Sequence, residues 1–243
     1  MVSSAVKDNK RPFIFSPGNR KKLYYLLYKI GVISGGQIQA HQILHKSPKT
    51  SRKILAKLRR ENKIAEHTLT VGSKDYKLYT LGPVGAAAIK AEYRPDYWYA
   101  YSESEAIQKL LTLELYIRLC DYLSADLKVE PGEKPYTYTF IHGDKTYNIG
   151  VVWDNAVSFM ETYRWSPPKE RVILICQNID QLNCLLEYLE EYTPIRAATR
   201  EKLKEGLVFY KPENGKWVLD LPDKKIKAGP AEKKIVNRQR ILI

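Results

Sequence analysis

The stretch Ser47–Ile64, SPKTSRKILAKLRRENKI, carries Lys49, Arg52, Lys53, Lys57, Arg59, Arg60 and Lys63 against a single acid, Glu61. Cations at this density suit one kind of chemistry: neutralising a polyanion and donating hydrogen bonds to it. Arg and Lys donate to phosphate oxygens and, in a major groove, to guanine O6 and N7. Ser51, Leu55 and Leu58, with Ile54 at the edge, recur at helical spacing, which leaves the cations to the rest of one helix. Ser47 reads as its N-cap and Pro48 as its first residue. Lys49, Thr50, Arg52 and Lys53, near the start, are the candidates for base edges or nearby phosphates. Lys57 and Arg60 are the candidates for the DNA backbone.

Such a helix needs a frame. Residues 19–30 place Leu23, Leu26, Leu27 and Ile30 on one helical face, and Gly31 ends that helix. Arg20, Lys21 and Lys22 open it as further backbone contacts. A second helix is expected after Ser34, with Ile38, Ile43 and Leu44 as its apolar positions. Beyond the basic helix, Ile64–Val71 and Tyr76–Leu81 read as strands around a Gly72–Asp75 turn. Lys74 and Lys77 on that hairpin are candidates for the minor groove or phosphates. Three helices and a basic hairpin predict a winged helix-turn-helix whose third helix enters the major groove. Pro83–Ala91 leads out as one more helix.

Other chemistries find less support. His41 and His45 are four apart, but Gln42 stands where a zinc protease needs Glu, so the pair reads as a surface feature or phosphate contact. Cys120, Cys176 and Cys184 are too few for a disulfide framework and suggest a reducing compartment, and Cys176 and Cys184 read as small core residues. Phosphate-binding glycine loops, a nucleophile elbow and a dinucleotide fingerprint are absent, so no cofactor, metal or catalytic residue is expected.

The net charge of +13 is unevenly spread: +13 over residues 1–101, −5 over 102–221 and +5 over 222–243. This asymmetry suggests a nucleic-acid module joined to an ordinary domain. The expected organisation is a flexible arm (1–18), the winged helix (19–91), an aromatic linker (92–101), an α/β domain (102–221) and a basic tail (222–243). Tyr93, Tyr97, Trp98, Tyr99 and Tyr101 in the linker suit a seam between domains better than a base-stacking platform, since only Arg94 adds positive charge. The tail reads as an arm for phosphates or for another subunit. With no signal peptide or membrane span in view, the expected location is the cytoplasm.

Ser102 is expected to cap a long helix apolar on more than one side, buried in the domain or shared with a second subunit. A homodimer on paired half-sites follows from the latter. Strands are expected near 127–130, 136–141, 147–153, 157–163, 172–176, 207–210 and 217–219, with an amphipathic helix at Asp180–Tyr192 and another near 200–204. The fold class is therefore α+β, a winged helix followed by a mixed sheet.

The order of these parts, with YTLGPVGAAAI (Tyr79–Ile89), VILICQNIDQLNCLLEYL (Val172–Leu189) and TREKLKEGLVFY (Thr199–Tyr210), resembles the plasmid replication-relaxation family over most of residues 20–219. The resemblance implies a core related to PD-(D/E)xK nucleases, with metal-binding carboxylates on two adjacent strands. The matching segments are YNIGVVWD and FMETYRWS. Gly150 stands where the first acid is expected; Glu161 and Arg164 fit the second segment, with Tyr163 replacing an acid. Asp154 and Asp144 are the nearby substitutes. One carboxylate makes a poor Mg²⁺ site, so the core is expected to be inactive. The expected function is sequence-specific binding to double-stranded DNA of a plasmid, phage or integrative element, in transcriptional regulation or replication and transfer initiation. The rivals are a metal-dependent nuclease and an adaptor recruiting a replication or transfer factor.

Overall fold

Leu23, Leu26, Leu27 and Ile30 give α1 (Arg20–Ile30) a buried stripe. The computed structural model describes residues 20–93, 98–99, 101–189 and 194–220. The expected N-terminal arm, Arg94 and Tyr97 of the linker, and the basic tail lie outside the described residues. After Gly31 comes a two-residue strand, β1 (Ile33–Ser34), and then α2 (Gly35–Ala40), held by a Ser34–Gln37 capping box. This helix is shorter than its sequence suggests. Gln42 adopts φ 52° and the Ile43 N–H donates to the Ile38 carbonyl, a Schellman closure. Ile43 and Leu44 are buried beyond the helix end rather than on it.

Helix α3 (Pro48–Arg60) starts at the expected Ser47 cap and buries Ser51, Leu55 and Leu58. Strands β2 (Ile64–Val71) and β3 (Lys74–Leu81) make the hairpin, and β1 pairs with the other side of β3. The turn is only Gly72–Ser73, so Lys74 and Asp75 belong to the strand. In α4 (Pro83–Ala88) and its cap, a Cβ on Gly82 or Gly85 would run into the backbone of Asn62 and Lys63. Close approach to the end of α3 is why the exit segment carries both glycines.

Ser102 and Glu105 form the capping box of α5 (Glu103–Leu123), which leads into a seven-stranded sheet. Its strands are β4 (Lys128–Pro131), β5 (Tyr138–His142), β6 (Lys145–Val152), β7 (Arg171–Cys176), β8 (Ile195–Thr199), β9 (Phe209–Glu213) and β10 (Lys216–Asp220), side by side in reverse chain order. Strands β6, β7 and β8 run parallel; the outer pairs are antiparallel. The chain is thus mixed α+β.

Parallel neighbours need a crossover. Between β6 and β7 it is α6 (Val157–Trp165), so the expected strand at Val157–Tyr163 is a helix. Phe159 and Tyr163, four apart, are its buried residues, and the Asn155 side chain accepts the Val157 N–H at its start. Between β7 and β8 a 3₁₀ segment, Ile179–Tyr188, replaces the expected α-helix. The last helix, α7 (Arg200–Glu205), follows β8.

The apolar strand β7 serves two cores because its side chains alternate. Ile173 and Ile175 join the cluster that contains α5; Val172, Leu174 and Cys176 join the one that contains α6. Gly150, beside Leu174 on β6, lies under α6: a Cβ there would stand 2.5 Å from Phe159 Cζ. Gly150→Ala is therefore expected to cost about 1–3 kcal/mol through overpacking. Urea unfolding measures it, and an unchanged midpoint would show that Phe159 yields freely.

Helix α5 is covered by its own chain. Ala106, Ile107, Leu110, Leu111, Leu113, Leu115, Ile117 and Cys120 are all buried, with α1 and β1 against it on one side and β6 and α7 on another. Its many-sided apolarity needs no second subunit. One apolar cluster runs from Leu23 through α5 to Leu203, so the core does not break at residues 92–101. Trp98 packs against that cluster and stacks on His67 at 4.5 Å, while Tyr101 meets Trp98 edge-on. These two aromatics form a seam; Tyr93 and Tyr99 are exposed.

Candidate nucleic-acid interface

With 3.6 residues per turn, the buried residues of α3 fix where its cations point. Lys49, Lys53 and Arg60 fall opposite Ser51, Leu55 and Leu58, and Lys57 lies to one side of them. All four are exposed. Lys57 has an acidic neighbour, Glu61, at 3.7 Å. Lys49, Arg52, Lys53 and Arg60 make no ion pair among the described residues. Thr50 is half-buried, and its N–H points back to the Ser47 cap at 3.5 Å. It sits beside Ile54, off the outer stripe.

Arg52 and Arg59 share a third side of α3, seven residues apart. They line a cleft of about 460 Å³ between α3, the start of α2 and the hairpin, together with Gly35, Glu66, Lys77 and Tyr79. Glu66 is central there: it accepts from Arg59 Nη1 at 3.1 Å and from Tyr79 Oη at 3.3 Å, and Lys77 Nζ lies 3.3 Å away. Burial, with the Glu66 carboxylate adding to it, pushes the Tyr79 phenol up to about 12. Strand register explains the grouping. Glu66 pairs with Tyr79 and Thr68 with Lys77, so these four share one face of the hairpin.

Lys74 is paired with Val71 and points to the other face, so the two hairpin lysines diverge. Arg20 and Lys21 are exposed at the start of α1. Arg20 is near enough to Glu61 and Lys63, beyond the C-terminus of α3, to act on both electrostatically. The structure therefore gathers Lys49, Lys53, Lys57 and Arg60 on one stripe and Arg52 with Lys77 at the adjoining cleft. Arg59, Glu66 and Tyr79 are additions that the linear reading passed over. The spacing of Arg59 from Arg52, two helical turns, was the available signal.

The other candidate chemistries are displaced. His41 caps α2 and turns inward, its Nε2 2.8 Å from Glu114 Oε2 on α5; both side chains are nearly buried. His45 instead accepts the Ser47 N–H through Nδ1, so the histidines share no helix face. Glu161 is exposed on α6, away from any strand, and neither β6 nor β7 carries a carboxylate. The two-strand mapping of a nuclease centre fails because its second segment is helical. Among the described residues no cluster of three His, Cys, Asp or Glu is placed to hold a metal. Cys120 and Cys176 are buried free thiols, and burial pushes Cys176 up to about 12. Among the described residues no helix is long and apolar enough to cross a membrane.

No family model and no curated protein matches the chain.

Proposed function

We propose that this chain is a sequence-specific double-stranded DNA-binding protein in which residues 20–91 act as a winged helix. In this reading α3 is the reading helix, the β2–β3 hairpin is the wing, and the sheet domain positions them. The observation that carries the reading is the exposed stripe Lys49–Lys53–Lys57–Arg60, continued by Arg52 into the cleft beside Lys77. Exposed cations on the side of a helix away from its buried residues, next to a hairpin, suit a groove and its two phosphate walls. The resemblance to the plasmid replication-relaxation family suggests the setting: a mobile element, with a role in replication, transfer or their transcriptional control. A homodimer on paired half-sites belongs to the same proposal, with a contact surface other than α5.

The deciding experiment is selection of bound fragments from the source genome, followed by titration of the enriched duplex against salt. If four stripe cations each neutralise one phosphate, the log–log slope is about −3.6. A slope shallower than about −1, or no enrichment, rejects the proposal. Cleavage of the duplex on adding Mg²⁺ or Mn²⁺ would instead revive the enzymatic rival.

A further inference from the structure

The cleft between α3 and the hairpin has an occupant of its own. Glu66 reaches it from β2 and draws in Arg59 from the helix and Lys77 from β3, with the Tyr79 hydroxyl as a third donor. A carboxylate ringed by a guanidinium, an ammonium and a phenol has the donor set of a bound phosphodiester. The partners are not locked away: the Arg59 and Lys77 side chains are 52% and 59% exposed, while that of Glu66 is 21% exposed. Arg52 adds a cation on the same wall and makes no ion pair among the described residues. The cleft thus holds three cations and one carboxylate, an excess that Glu66 does not satisfy.

We propose that this cleft is a binding site for one DNA phosphate, and that Glu66 is its internal competitor. The inference rests on the duplex-binding reading above. In the free chain Glu66 holds Arg59 and Lys77 toward each other across the junction of helix and wing. When a duplex lies along α3, a backbone phosphate enters beside Arg52 and takes over the Arg59 and Lys77 donors, and Glu66 is released to solvent. Glu66 is then a positioning residue that also restrains indiscriminate binding: a phosphate must displace an existing pair, and only a well-seated duplex gains enough elsewhere to do so.

The test uses the full chain and a labelled duplex of about 30 base pairs of mixed sequence, titrated across a range of NaCl. Glu66→Gln is expected to bind this duplex about twofold to fivefold tighter at low salt, the range an exposed ion pair controls. Arg59→Gln with Lys77→Gln is expected to make the log–log salt slope shallower by about 0.9, one phosphate's share. A purely structural ion pair would leave that slope alone. If Glu66→Gln fails to fold, the slope of the double variant decides by itself. An unchanged slope there overturns the exchange, as does a folded Glu66→Gln chain that binds no tighter. Failure of the unaltered chain to bind any duplex removes the duplex-binding reading and this site with it, a result distinct from the other two.

Discussion

Arg52→Ala combined with Lys53→Ala is expected to weaken binding to the selected target by about 2–6 kcal/mol, at about 1–3 kcal/mol per lost base contact. That is at least about a thirtyfold loss. The two residues are adjacent in sequence but face different ways: Lys53 stands on the outer stripe, and Arg52 turns toward the cleft and the hairpin. In the proposed duplex-binding reading they sample two routes to a duplex, the groove floor and the wall beside the hairpin. Neither is buried or ion-paired among the described residues, so folding stability should change by no more than about 0.5 kcal/mol. Fluorescence polarisation with the selected duplex reads the first effect and a thermal melt the second. Unchanged affinity with an unchanged melt would mean that α3 is not the reader. Comparable losses on random duplexes would mean that the pair holds phosphates and reads no base.

The sequence made the helices with strong caps and clean periodicity legible. Ser47-Pro48 and Ser102-x-x-Glu105 mark the starts of α3 and α5 where the structure has them. The misreadings have physical causes. VSFMETY alternates just enough to resemble a strand, yet its Phe159–Tyr163 spacing and the need for a crossover between parallel β6 and β7 made it a helix. His41 and His45 looked like one helical face because the left-handed turn at Gln42 has no glycine to announce it. Among the candidate residues, those on α3 could be placed from helical spacing alone. The cleft could not, because it depends on hairpin register: Glu66 meets Arg59 only once Ile64 is paired with Leu81 and the strand is laid against the helix. The pairing of His41 with Glu114 spans 73 residues and leaves no local trace.

That pairing underlies the largest expected loss of stability. Glu114→Ala is expected to cost about 3–5 kcal/mol, the usual effect of breaking a buried charged network. Glu114 on α5 faces His41 at 2.8 Å and accepts from Arg118 Nε at 3.1 Å, and Arg118 in turn donates to the Lys204 carbonyl on α7. Burial opposes ionisation of Glu114, but the hydrogen bonds and charges of His41 and Arg118 outweigh it and hold the carboxyl below its ordinary range. Its folded pKa being depressed, this stabilisation is present above the unfolded carboxyl value and is lost as pH falls through the lower folded one. Urea midpoints measured down into the acid range should therefore drop less steeply for Glu114→Gln than for the unaltered chain. The consequence reaches the face that carries α3. His41–Glu114, Gln37 Nε2 to the Leu110 carbonyl at 2.8 Å, Lys29 to Asp126 at 2.7 Å and Tyr138 to the Ile30 carbonyl at 2.7 Å tie the first helices to α5, to the sheet or to the connection between them. With a shared apolar cluster beneath them, these ties predict that the two halves unfold in one transition. Glu114→Ala should then lower duplex affinity only where it lowers the folded fraction. Two separated transitions would show that these ties do not couple the halves, whereas lost affinity in a fully folded Glu114→Ala chain would show that α5 adjusts the aim of α3 rather than merely anchoring it.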